Sequence, residues 1–84
     1  MTLAERARAV HTRDDFAAFV AELKVDFAAN RSAWVNADLP SFLEAMAAWV
    51  QDLEGYYQNT DEKLSDLPPW KVLADVLMAA RVYE

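Results

Sequence analysis

The chain has 84 residues, one glycine and no cysteine, so disulfides and thiolate metal sites are excluded, and the tight turns of a sheet protein lack their usual residue. A domain of this length buries only roughly 60–65% of its unfolded surface, and a 55% apolar composition with ten aromatic residues is how this one compensates. The net charge of −6 repels phosphate backbones and argues against nucleic acid as a partner.

Thr2-Leu3-Ala4-Glu5 has capping-box spacing and predicts a short helix over about residues 3–10. Thr12-Arg13-Asp14-Asp15 starts a second helix, about 13–29, on which Phe16, Phe19, Val20, Leu23 and Phe27 form one apolar stripe. Residues 30–37 read as a connection anchored to the core by Trp34. Asp38-Leu39-Pro40 then sets a helix start: the carboxylate accepts from a free backbone N–H, and proline has none to lose. On the wheel of the helix that follows, Leu39, Phe42, Leu43, Met46, Trp49, Val50 and Leu53 share an arc of about 120°, expected to face the core. Tyr56 and Tyr57 keep to that arc if the helix runs through Gly55 to about residue 58; alternatively Gly55 ends it as a C-cap.

Residues 59–66 form the one extended polar stretch and read as an exposed loop. A second Asp-Leu-Pro, at Asp66-Leu67-Pro68, opens the last helix, about 67–83. Apolar residues cover well over half of its circumference, leaving Lys71 and Asp75 as a narrow polar strip. Such a helix is central, or meets another chain on its second face. The expected architecture is therefore all-α, one domain spanning 1–84, with three long helices (about 13–29, 39–58 and 67–83) plus the short N-terminal one.

No conventional catalytic pattern is present, and neither a catalytic residue, a cofactor site nor a metal site is expected. His11 is the single histidine, too few for a histidine metal motif, and one glycine cannot build a phosphate loop. Asp52 and Glu54 lie about 200° apart on the helical wheel, so they cannot converge as an acid–base pair. Arg81 falls at the centre of the last helix's apolar arc and is expected to snorkel or to pair with an acid. Aromatic side chains in surplus of what a small core needs serve as interface anchors. The candidate partner-binding residues are accordingly Trp34, Asp52, Glu54, Tyr56, Tyr57, Trp70, Arg81 and Tyr83.

These residues carry a resemblance. Phe16, Phe19-Val20 and Leu23, then Trp34-Val35-Asn36, Leu39-Pro40-Ser41-Phe42-Leu43-Glu44-Ala45, Asp52-Leu53-Glu54-Gly55-Tyr56-Tyr57-Gln58-Asn59 and the terminal Ala79-Ala80-Arg81-Val82-Tyr83-Glu84 resemble a family of small acidic bacterial proteins classed as a domain of unknown function. The resemblance implies a bacterial, cytosolic, single-domain protein and no mechanism; in size and shape the chain is similar to immunity proteins that neutralise toxins. Charge interrupts any apolar run at the N-terminus and no segment is long and apolar enough to span a bilayer, so neither a signal peptide nor a membrane partner is expected, and the expected compartment is the cytoplasm. The function expected from this reading is non-enzymatic protein binding, in its sharper form inhibition of a basic partner. Two alternatives are a homo-oligomer packing through the third long helix, and a small-molecule or enzymatic site using Glu54, Tyr56, Tyr57 and Arg81.

Overall fold

The computed structural model describes residues 2–59, 63 and 67–84. Five helices make it up: α1 (Leu3–Arg8), α2 (Arg13–Ala29), α3 (Leu39–Gln51), α4 (Leu53–Asn59) and α5 (Pro69–Ala80), with one turn of 3-10 helix at Arg31–Ala33. Among the described residues there is no strand, and no helix is long and apolar enough to cross a membrane.

Three of the starts are the caps legible in the sequence. Thr2 and Thr12 each form a full capping box, with Glu5 and Asp15 as the reciprocal acids. Asp38 accepts from the Ser41 backbone N–H at 2.9 Å and from its hydroxyl at 2.9 Å, with Pro40 in the first turn. Backbone N–H groups held against these carboxylates keep Glu5, Asp15 and Asp38 below the ordinary carboxylate range, Thr2, His11 and Ser41 supplying the largest contributions in turn. Because the folded-state pKa values are depressed, the stability they contribute is present above the unfolded values and lost as pH falls through the folded ones. Melting temperature should therefore decline as pH drops below about 4, and a chain carrying Asp15→Asn and Asp38→Asn should show a shallower decline. Equal acid sensitivity of the two proteins would count against the caps as its source.

The segment expected as one helix to residue 58 is two. Asp52 takes φ −95° and ψ 7°, its N–H closes α3, and its carbonyl accepts from the Tyr56 N–H at 3.2 Å to open α4. The break falls at Asp52, not at Gly55, because α4 must swing for Leu53 and Tyr57 to reach Val76 on α5. Gly55 is an ordinary interior residue of α4, and a Cβ placed on it meets nothing within 4 Å. Gly55→Ala should then raise stability by about 0.5–1 kcal/mol through helix propensity and the lost freedom of the unfolded chain. A destabilised variant in urea titration would refute that reading of α4.

The last helix also starts later than expected. Its N-cap is Pro68, with no side-chain cap, and it runs from Pro69 to Ala80 instead of over 67–83. The expected cap Asp66 and most of the expected polar loop lie outside the described residues. The N-terminal helix stops at Arg8 instead of residue 10.

α5 is the central helix. α1, α2 and α3 all pack on it, and Ala74 and Ala80 on its inner faces are fully buried. Small side chains at those positions let three neighbours approach one helix closely. The main core joins Ala7, Val10, Phe19, Leu23, Trp34 and Ala74; a second joins Trp49, Tyr57 and Val76.

Candidate functional site

The expected 120° apolar arc of α3 divides in two. One line, Phe42, Ala45 and Trp49, turns inward, with Ala45 and Trp49 buried. The other, Leu39, Leu43 and Val50, lies within about 40° on a wheel of about 100° per residue and faces outward, while Met46 between them is half-buried and packs against the core of Trp49, Tyr57 and Val76. Leu39 is 68% exposed, Leu43 50% and Val50 48%. This corrects the expectation that all of them face the core. One core line needs only part of a 120° arc, and the spacing 39, 43, 50 is that of a second, coiled-coil-like seam.

Beside that line runs a groove. α2 and α3 each pack on α5 and barely on each other, so they splay. The opening between them measures about 360 Å³ and is lined by Val20, Leu23, Phe27, Trp34, Ala37, Leu39 and Phe42, with Lys24 and Asp38 as its only charged residues. Trp34 is the wedge that holds it open. Its ring meets Phe27 edge-on at 5.0 Å and stacks on Phe42 at 5.8 Å, and its indole N–H donates to Asp26 at 2.8 Å. Arg81 lies 5.7 Å from the same ring and 3.6 Å from Asp26, donating from Nε to the Met78 carbonyl at 3.1 Å. Asn36, two residues on, ties the connection to the end of α5. Its side chain donates to the carbonyls of Ala80 and Tyr83, both at 2.9 Å, and its backbone N–H to Arg81 at 2.9 Å. Thus Trp34 and Arg81 come together in the interior, around a carboxylate that the sequence reading did not single out, Asp26.

The tyrosines form a separate group. Trp49, Tyr56 and Tyr57 pack their rings at 5.0–6.4 Å. Tyr57, buried, donates to Asp75 at 2.6 Å, and Lys71 reaches the same carboxylate oxygen at 2.7 Å. Tyr83 donates to Asp52, and that bond, above all, holds the Tyr83 hydroxyl above the usual phenol range. Glu54 is exposed on α4. Trp70 packs on Phe16 at 5.5 Å, at the start of α5. The structure therefore groups Tyr56 with Tyr57 and Arg81 with Trp34, and does not bring Glu54, Tyr56, Tyr57 and Arg81 to one place.

A second groove, about 410 Å³, lies between α1, the tyrosine group and α5, lined by Arg8, Trp49, Tyr56, Lys71, Asp75 and Met78 among others. His11 is exposed, with Nδ1 2.9 Å from the Ala9 carbonyl. Among the described residues no cluster of histidine and carboxylate ligands could hold a metal ion, and no buried side-chain nitrogen or oxygen lacks a hydrogen-bond partner. The arrangement presents apolar side chains on one face of α3 beside an apolar groove.

Residues 12–84 match DUF7660, a family of unknown function. No curated protein and no solved structure matches the chain.

Proposed function

We propose that this chain, which belongs to the DUF7660 family of unknown function, is a non-catalytic interaction module that docks another polypeptide on the outward face of α3 and the groove beside it. One observation carries the reading: Leu39, Leu43 and Val50 are 48–68% exposed on a single face, contiguous with an apolar groove. A continuous apolar surface of this kind marks an interaction site, whereas scattered exposed leucines do not. Its i, i+4, i+11 spacing suits a helix laid alongside. The dispersal of Glu54, Tyr56, Tyr57 and Arg81 weighs against the small-molecule or enzymatic alternative. The cover that α1, α2 and α3 already give α5 weighs against docking through the last helix.

The net charge of −6 also makes inhibition of a basic partner, as by an immunity protein, a form of this function, since long-range attraction would steer such a partner in. Affinity capture from cells carrying the gene, with wild-type chain and Leu43→Asp as parallel baits at low and high salt, tests the module. A chain held by wild type and lost by Leu43→Asp supports it, and identical captures by the two baits remove it. A basic partner should be released by salt; a partner of like charge should be held more tightly.

A further inference from the structure

We infer that the occupant of the α3 face is a second copy of this chain, giving a two-fold dimer in which the two α3 helices pack against each other. The inference rests on the docking role just proposed for that face and names its partner. Charge decides it. Across its thirteen residues α3 carries a single charged side chain, Glu44, which lies about 130° around the helix from the exposed line. The residues flanking that line on its outer side are Pro40, Ala47 and Gln51, all uncharged. The groove itself holds one cation and one anion, Lys24 and Asp38, and so is locally neutral. A partner chosen for its basic charge would need carboxylates gathered at this face, and none gather there. A second copy brings the same uncharged line to it, and the two-fold operation apposes the apolar residues of that line. Two-fold dimers are also the commonest closed assembly, and an isologous contact needs only a self-complementary patch, which a seam at coiled-coil spacing with a small alanine beside it supplies. The remaining net charge, distributed elsewhere, gives the dimer a distinctive salt response: association between two chains of −6 tightens as salt screens their repulsion.

Sedimentation equilibrium from about 1 µM to about 1 mM tests this directly. The wild-type chain, 9.5 kDa, should approach twice that mass, and its dissociation constant should fall with added salt. Leu43→Asp, placed twice in the interface by symmetry, should raise the dissociation constant by about a hundredfold or more, with unchanged helical circular dichroism and, at concentrations where both chains are monomeric, an unchanged melting temperature. Val25→Asp, also exposed but on α2 away from the groove, should leave it unaltered. Because the chain has no cysteine, Leu43→Cys offers a second readout: mild oxidation should join two copies through it, while Val25→Cys stays monomeric. Monomer at every concentration, a dimer indifferent to Leu43→Asp, or equal cross-linking through both cysteines overturns the assignment. A monomeric wild type that still loses a captured chain on Leu43→Asp would overturn the dimer and leave the docking role standing.

Discussion

Replacing Trp34 with alanine is expected to remove about 3–5 kcal/mol of stability, about a quarter or more of what a domain of this size commonly has. The ring fills the space between Phe27 and Phe42 and has Arg81 beside it, so its loss leaves a void that three side chains on three different elements must collapse to fill. Asp26 loses the indole donor yet keeps Asn30 at 3.1 Å and Arg81 at 3.6 Å, and it is not deeply buried. The void is therefore the larger cost. Trp34→Phe separates the contributions: it keeps an aromatic wedge, forfeits the N–H to Asp26, and should cost about 1–2 kcal/mol. Urea unfolding of the two variants reads both numbers. If Trp34→Ala costs under about 1 kcal/mol, Trp34 is not the wedge between α2 and α3.

The second large effect is expected at Tyr57, the largest of the fully buried side chains and the residue that fastens α4. Tyr57→Ala should cost about 3–5 kcal/mol and leave the amides of 53–59 exchanging freely, since α4 has only seven residues and is too short to persist unpacked. Tyr57→Phe retains the ring against Trp49 and removes one donor from Asp75, whose carboxylate still has Lys71. It should cost about 1.5–3 kcal/mol, the range for a hydrogen bond to a charged group. Hydrogen exchange read by mass spectrometry distinguishes the two variants. Protection of 53–59 surviving in Tyr57→Ala would mean that something else holds α4 down.

Both residues belong to the aromatic set the sequence singled out for a partner; both are buried, Trp34 as the core anchor that its connection was also expected to have. Composition shows that aromatics are in surplus; it does not show which of them the core uses. Tyr56, at 44% exposure, is the one of that tyrosine pair left substantially at the surface. The α3 residues that face outward, Leu39, Leu43 and Val50, are aliphatic, and the reading of one apolar arc places them in the core. Their one sequence signal was the excess width of the α3 arc, in which a second line at 39, 43 and 50 runs beside the line that packs.

Local chemistry alone determined the helical class, the caps at Thr2, Thr12 and Asp38, and the bounds of α2. Each of these depends on residues within one or two turns of each other, so spacing and side-chain type carry the information. Tertiary packing alone decided the break at Asp52, the pairing of Trp34 with Asp26 and Arg81, the central place of α5, and the division of α3 into a packed and an open line. Those outcomes depend on where α5 sits. Two helices that share it as a support need not meet, and the wedge of Trp34 between them leaves the leucines of α3 without a cover inside the chain. A wheel reports which residues share a face of a helix; only the position of the neighbouring helices says which part of that face is buried.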